Sequence, residues 1–348
     1  MHLLILTPGF PANEQDDSCI PALQSFVYAL KTNHVSSVTI IPFHYPFFNE
    51  QYLWKGCRVH PMNGANVGSW KRLWLWLKII KQIGRIHKVN PINVIHSFWY
   101  SECALIGHLV SRSKKINHIT TAMGQEFYRP TWVQRLLKRL PQPRVVVLSE
   151  RQKKSMRDFG LVENQLIPWA LNPLLLNVND GDATRKIDLI FIGSMIDGKR
   201  PEIFLRVVQR LSGKFPILRA VMIGGGPLLE VLREQVHDLG LTGTVKLLGD
   251  LSRGEAMDQL RCAKILLHPS DYESFGFVYL EALCCGTLIV SGPTGIAGSS
   301  ETWKVVDNEE EMLNACDHLL DTWTTAPVRD CKYNIDEICR RYVTLYSA

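Results

Sequence analysis

Two glutamates eight positions apart, Glu273 and Glu281, mark the stretch of this chain best suited to chemistry. They fall in the run from His268 to Glu281, where the apolar Ile265, Leu266 and Leu267 lead through Pro269, Ser270, Asp271 and Tyr272 into a helical pattern. A helix opening after such a turn presents backbone N–H groups at the positive end of its dipole, which suits an anion and phosphate above all. Eight residues make about 2.2 helical turns, so the two carboxylates are expected on one side of a helix, one at its mouth and one inside. Ionised carboxylates accept hydrogen bonds from hydroxyls. The pattern therefore reads as a site for an anionic ligand that also carries hydroxyl groups.

Two earlier loops have matching chemistry. Gly193, Ser194, Met195, Ile196, Asp197, Gly198 and Lys199 follow one apolar run and place a lysine at a helix entrance. Gly224, Gly225, Gly226 and Pro227 follow the next, where glycine lets a backbone come close to a ligand. Singly these are weak. A glycine triplet is as readily a tight turn, a lone lysine is ordinarily solvated, and Glu281 alone reads as a helix-face carboxylate in a surface pair. Their ordered succession at strand ends is what carries the site.

The elements that must position them alternate. In the first half, strands are expected at 3–7, 38–42, 94–96, 118–121 and 145–149, with helices near 21–31, 69–88 and 102–112 between them and one more ending at Phe159. The pattern restarts with strands at 189–192, 219–223 and 245–248 and helices at 201–211, 229–239 and 253–262. Alternation of this kind predicts parallel βαβ units. The fold class is therefore α/β, with two Rossmann-like doubly wound domains and ligands at the carboxyl ends of the strands in the cleft between them. A polar stretch at 177–184 marks a linker, which sets the domains at 1–165 and 187–330, the linker at 166–186 and a final helical segment at 331–348.

Composition bounds the alternatives. With 348 residues and 46% hydrophobic content the chain is folded and long enough for two cores. Its nine cysteines show no C-x-x-C pair and no metal-ligand spacing, and are expected to be reduced, buried thiols of a cytosolic protein. The start lacks a basic segment and meets Pro8 and Gly9 too soon for a signal peptide. Residues 282–300 are uncharged but broken by glycines and a proline, so no membrane span is expected. The net charge of +6 is uneven, because residues 51–149 hold 16 Lys and Arg against only Glu102 and Glu126. Chance would produce ordinary solvated faces; the alternative is a first half that meets an anionic surface or substrate.

That second possibility has two carriers. Over 69–88, Trp70, Leu73, Trp74, Leu77 and Ile80 share one helical face, while Lys71, Lys78, Gln82 and Arg85 share another. The bland reading makes the apolar face a cover for the first sheet. The functional reading is a Trp-bearing basic helix at a membrane surface. A second basic amphipathic run, from Trp132 to Arg139 within 131–144, supports membrane contact. No nucleic-acid module accompanies the charge, so nucleic acid is not an expected partner. Two short lookalikes are set aside. Asp180 and Asp182 match a metal-binding D-x-D but sit in the linker, so no metal is expected, and Asp158, Phe159 and Gly160 read as a helix C-cap.

The order of motifs, from Gly193 and Lys199 through the Gly224–Gly226 triplet, Val245, Leu248 and Gly249, to Pro269, Ser270, Glu273, Phe275, Gly276 and Glu281, resembles the C-terminal domain of retaining GT-B glycosyltransferases, most closely glycosyltransferase family four. Tyr342, Leu345 and Tyr346 are similar to that family's last helix, which crosses back to the first domain. The resemblance covers 187–348 in detail and 1–165 in layout. It implies that Glu273 contacts the donor sugar's hydroxyls, Glu281 the ribose hydroxyls, and the backbone from Ser274 through Phe275, Gly276 and Phe277 the sugar and diphosphate. Lys199 would neutralise the departing diphosphate. Ser194, Arg200, Gly225, Gly226 and Leu251 complete the donor side, and Gly9, Phe10, Trp99, Met123, Gly124 and Glu126 form the acceptor side.

The resemblance further implies a nucleotide diphosphate sugar, UDP- or GDP-linked, as substrate, no cofactor, and a glycan or lipid-linked saccharide as acceptor. It points to cell-surface polysaccharide synthesis in the cytoplasm, at the inner face of the plasma membrane. There are two departures. Ser194 stands where the family commonly has arginine, and Met123 precedes Gly124 where it commonly has histidine. Arg200 is an alternative cation. A nucleotide-sugar 2-epimerase and a non-catalytic nucleotide-sugar-binding relative stay open beside the transferase.

Overall fold

The computed structural model describes residues 1–65, 68–124, 126–141, 144–161, 164–171, 184–324 and 329–347. The chain forms two compact units, Met1–Asn172 with Tyr333–Ala348, and Pro173–Lys332. Each is built on a largely parallel sheet flanked by helices, the α/β architecture expected from the alternation.

The first unit's sheet has strand order β3-β4-β2-β1-β5-β6-β7-β8 among the described residues. Its centre is β1 (His2–Gly9), buried between β2 (Ser37–Tyr45) and β5 (Val94–Phe98). Leu3, Leu4, Ile5 and Leu6 are all fully buried, so the run is continuous and apolar rather than alternating, as a sheet covered on both faces requires. β6 (Asn117–Thr121), β7 (Arg144–Val147) and β8 (Asn164–Leu166) extend it in parallel. The hairpin of β3 (Tyr52–Trp54) and β4 (Cys57–Val59), paired antiparallel at the other edge, was not expected from the sequence. Lys55 and Gly56 at its turn both have positive φ, a turn signal for which only Gly56 offered any hint.

The final helix, Ile335–Ser347, belongs to the first unit. Tyr342 and Tyr346 are buried, Tyr342 against Phe26 at 4.8 Å and Tyr346 donating to or accepting from His96 Nδ1 at 2.7 Å. The other His96 nitrogen meets Thr121 Oγ1 at 2.8 Å. Burial holds His96 well below its ordinary basicity, so it is a neutral core histidine. Trp169 stacks on Phe26 at 5.3 Å and donates to Tyr342 Oη at 3.2 Å. The linker expected from residue 166 therefore starts later. Leu166 closes a strand and Trp169 to Leu171 are core. The rest of that segment, with Asp180 and Asp182, lies outside the described residues.

The second unit has order β11-β10-β9-β12-β13-β14, all parallel pairs. β9 (Ile187–Ile192) and β12 (Ala263–His268) lie at its centre, with β10 (Ala220–Ile223) and β11 (Val245–Leu247) on one side and β13 (Leu288–Ser291) and β14 (Trp303–Val305) on the other. Helices Pro201–Ser212 and Glu309–Asp321 cover one face through Phe204, Leu205, Val208, Met312 and Cys316.

Two further expectations are corrected. Cys284 and Cys331 form a disulfide, with their Cα atoms 4.9 Å apart. Their separation of 47 residues offered no signal, and the reduced-thiol argument for a cytosolic protein no longer holds. The helix Ser69–Val89 does cover the first sheet, but with Leu75, Ile79 and Ile83, not with the tryptophan face. Trp70 and Trp74 are 80% and 72% exposed. The spacing of Trp70, Leu73, Trp74 and Leu77 defined a real face, and that face points to solvent.

Candidate functional site

The loops singled out in the sequence meet at the carboxyl ends of β9, β10, β11 and β12. β9 is followed by Gly193, whose N–H donates to Ile223 O at 3.0 Å, while Met195 N donates to Gly225 O at 2.8 Å and Gly224 N to Gly249 O at 2.8 Å. Gly224 and Gly226 have φ of 130° and 143°. A Cβ on Gly224 would stand 2.1 Å from Gly193 O, and one on Gly226 2.6 Å from Met195 O. The triplet thus serves backbone-on-backbone packing of two strand-end loops. Gly225 N donates to Asp250 Oδ1 at 2.6 Å, a partner that sequence reading did not name.

Glu273 is the centre of the charge. Its carboxylate is held by the Lys199 ammonium and by His268 Nε2 at 2.8 Å. Lys199 ends a short 3-10 turn, Asp197–Lys199, and His268 ends β12. His268 is 1% exposed, stacked on Phe191 at 5.9 Å and met edge-on by Tyr279 at 5.3 Å. Because Nε2 faces a carboxylate it carries the proton, which leaves the buried Nδ1 without a partner. Burial opposes ionisation of Glu273, yet Lys199 and the His268 contact outweigh it and hold the carboxyl down at about 2. Glu273 is a fixed anion.

Glu273 is not on the helix with Glu281, which corrects the eight-residue spacing argument. The helix Phe277–Cys285 begins four residues later, after Gly276 at φ 84°. Glu281 therefore lies about one turn into it. The left-handed glycine stops the helix from running back through Glu273. A second clasp comes from the loop after β13, where Gly295 N donates to Glu273 O at 3.1 Å and Ile296 N to Phe275 O at 3.0 Å. A Cβ on Gly276 would stand 2.4 Å from the Tyr279 ring. Gly276→Ala is expected to cost roughly 1–3 kcal/mol in denaturant unfolding, from left-handed strain plus that clash. An unchanged midpoint would show that the junction adapts.

Glu281 accepts from Arg253 Nη2 at 3.1 Å, both side chains under one-fifth exposed. Arg253 opens the helix Arg253–Arg261, capped by Ser252 and Glu255. The S-x-x-E capping pattern was visible in the sequence, but nothing there pointed Arg253 at Glu281. Leu251 directly precedes that cap and is half-buried. Ser194 is exposed. Arg200 donates to Glu202 at 2.6 Å and Asp271 at 3.3 Å, so its charge is already matched by two carboxylates. Ser274 and Phe275 occupy the turn between Glu273 and the helix that Phe277 opens, with Phe275 buried.

The residues expected on the acceptor side lie at the carboxyl edge of the first unit's sheet. Phe10 is fully buried against Trp54 at 5.0 Å, a core residue rather than a ligand-facing one. Gly9 is buried at the end of β1. Glu126 is buried and accepts from Met123 N at 2.9 Å, Gly124 N at 2.6 Å and Tyr100 N at 3.2 Å, while burial pushes its carboxyl up. Its oxygens organise the turn after β6. Trp99 has φ 68°, and its indole Nε1 would lie 3.3 Å from a Cβ on Gly124. A missed cluster joins Glu102 to His44 Nε2 at 2.7 Å and to Trp76 Nε1 at 2.5 Å. That carboxylate ties the helix Ser69–Val89 to β2. Among the described residues, no group of three His, Cys, Asp or Glu is placed to hold a metal ion.

Two α/β units, each on a largely parallel sheet and one with a Lys–Glu–His cluster beside a helix entrance at its strand ends, define a GT-B-type protein. The family models agree. "Glycosyl transferases group 1" matches residues 179–308 and "Glycosyl transferase 4-like" matches 30–142. The chain belongs to the group 1, family-four-type GT-B glycosyltransferases.

Its relatives include the D-inositol 3-phosphate glycosyltransferase of Rhodococcus jostii, 27% identical over 51% of this chain and 42% of the relative. That of Corynebacterium jeikeium is 37% identical over 30% and 27% respectively. The chain thus spans less than half the length of these curated relatives. Among solved structures, Anabaena HepE with UDP and glucose matches all of both chains at a TM-score of 0.76 and 15% identity. Sucrose-phosphate synthase from Thermosynechococcus elongatus matches 99% of this chain and 94% of the other at 0.74 and 16%. At such identities the likeness speaks for the fold. No helix among the described residues is long and apolar enough to cross a membrane.

Proposed function

We propose that the chain is a retaining, metal-independent hexosyltransferase that uses a nucleotide diphosphate sugar. The observation that carries this reading is the Lys199–Glu273–His268 cluster at the strand ends, with Glu281 on the helix that follows. Glu273, kept ionised, would accept hydrogen bonds from the sugar's hydroxyls and fix its anomeric carbon. Lys199 would shift part of its charge from Glu273 to the β-phosphate as the bond from anomeric carbon to phosphate oxygen breaks. The acceptor oxygen bonds to the same face of that carbon, and its proton passes to the departing phosphate. Configuration is retained. Glu281 would take the ribose hydroxyls in exchange for, or beside, Arg253.

The acceptor would be a glycan or lipid-linked saccharide, used in cell-surface polysaccharide synthesis at an anionic membrane face. Support for the membrane comes from Trp70, Leu73, Trp74 and Leu77, all exposed on the helix Ser69–Val89, and from Trp132, 55% exposed on the helix Trp132–Arg139. The Trp76 and Trp132 rings, 6.1 Å apart, join the two helices into one surface. Trp70→Ala with Trp74→Ala is expected to lower co-sedimentation with phosphatidylglycerol vesicles by about tenfold, with no change in thermal stability. Equal sedimentation of both proteins would remove this surface from the account.

The experiment for the donor is a thermal-shift panel of UDP- and GDP-sugars, because a ligand bound only by the native state raises its melting point. Product analysis with donor alone then separates the two alternatives. A 2-epimerase converts the donor without an acceptor, and a binding protein raises the melting point but turns over nothing.

A further inference from the structure

A cavity of about 430 Å3 opens in the first unit at the amino end of β1, the opposite end of that strand from Gly9. It is walled by His2, Arg58, His60, Gln82 and Arg85, with Thr39, Gln51 and Asn90 completing the polar lining. None of its lining residues is a carboxylate. Ligands in α/β sheets bind at the carboxyl ends of the strands, so this cavity is separate from the glycosyltransferase site.

The hydrogen bonds decide what the walls present. His2 Nδ1 lies 3.1 Å from Asn90 O, a pure acceptor, so Nδ1 carries the proton, and Nε2, 2.9 Å from Thr39 Oγ1, accepts from the hydroxyl. His60 Nδ1 lies 3.1 Å from Gln82 Nε2, an amide donor, so Nδ1 accepts and Nε2–H is left as a donor. Two guanidiniums and an imidazole N–H thus face one polar cavity, backed by the side-chain amides of Gln51 and Gln82. Burial lowers the basicity of His60, and Arg58 lowers it further. His2 is lowered in the same way, first by burial. Two guanidiniums line the cavity beside two neutral histidines with no carboxylate in the lining, so an anionic ligand would meet uncompensated positive charge there.

We propose that this cavity binds a phosphomonoester, its oxygens taken by Arg58, Arg85 and His60. Arginine forks suit phosphate in bidentate geometry. The space is larger than a bare phosphate needs, and the Gln51 and Gln82 amides suit hydroxyls on the group that carries it. The site stands apart from the proposed sugar transfer and does not depend on it.

The test uses the full chain and follows the imidazole resonances of His2 and His60 by NMR at constant ionic strength. Inorganic phosphate and glycerol 3-phosphate probe a soluble ligand, and phosphatidic acid vesicles probe a lipid headgroup, with chloride and phosphatidylcholine as controls. The expected result is an upward movement of the His60 midpoint by about one pH unit, with the Nε2 signal shifted and other histidines unmoved. Saturation by the soluble probes assigns a small ligand. A shift with phosphatidic acid alone assigns a headgroup. R58Q and R85Q, both at exposed positions, are each expected to weaken binding about tenfold without loss of fold. No movement with any probe, or the same movement in the R58Q/R85Q double variant, would overturn the proposal.

Discussion

Lys199→Ala is expected to lower sugar transfer by about 10²–10³-fold, the usual loss when one preorganised stabiliser of developing charge is removed. The effect should fall on kcat more than on KM, because the role proposed for the ammonium is strongest as the phosphate departs. The same substitution has a signature that requires no activity. Glu273 is buried, and its carboxyl sits at about 2 because Lys199 and the His268 contact outweigh that burial. Without the ammonium, burial gains weight and the carboxyl should climb toward or above its ordinary range.

The sign of the stability effect follows from this. A carboxyl whose folded pKa lies below its unfolded value stabilises the protein above the unfolded value. It loses that contribution as pH falls through the folded one. The wild-type advantage over Lys199→Ala should therefore be full above about pH 5, shrink through pH 4 and 3, and vanish near pH 2. Its size at neutral pH is of order 3 kcal/mol, for side chains that are 23% and 13% exposed. Urea unfolding of both proteins across that range measures it. A gap that widens on acidification would mean that the pair does not hold Glu273 as described.

The second large effect lies far from the charge. Tyr342→Ala is expected to cost about 3–5 kcal/mol, the range for emptying a large aromatic site in a packed core. Tyr342 is fully buried, packs on Phe26 at 4.8 Å, accepts from Trp169 Nε1 at 3.2 Å and meets Thr121 Oγ1 at 3.0 Å. Its loss would remove a hydrogen bond from each of these two buried partners as well as leave a void. Tyr342→Phe separates the contributions, since it keeps the ring and should cost only about 1–2 kcal/mol. Similar losses in the two variants would place the stability in the hydroxyl network rather than in packing.

What the sequence made legible follows from how local each signal is. The strand-end loops at Gly193, Gly224 and Pro269 could be read because glycine, proline and apolar runs act within a few residues. The pairing of Lys199 with Glu273 joins positions 74 apart, and only the family resemblance brought them together. His268 was visible as the residue after an apolar run, but its contact with Glu273 depends on a loop that doubles back. Arg253 beside Glu281, and Asp250 beside Gly225, gave no sign at all, because a charged residue near a helix start reads the same whether it faces solvent or a partner.

The helix Ser69–Val89 shows the opposite limit. Its apolar spacing was real, but periodicity reports a face and not what covers it, and a second apolar row at Leu75, Ile79 and Ile83 took the core. The Cys284–Cys331 pair was invisible for a related reason: the two residues lie 47 positions apart, and only the tertiary fold brings them within bonding reach.

The central claim is that Lys199 and Glu273 serve a retaining transfer. Its most direct test is the anomeric configuration of the product, read by proton NMR, when the intact chain is given an α-linked nucleotide sugar and an alkyl glycoside acceptor. The account predicts an α-linked product that disappears with Lys199→Ala and with Glu273→Ala. A β-linked product, or a donor epimerised at C2 with no acceptor present, would contradict it.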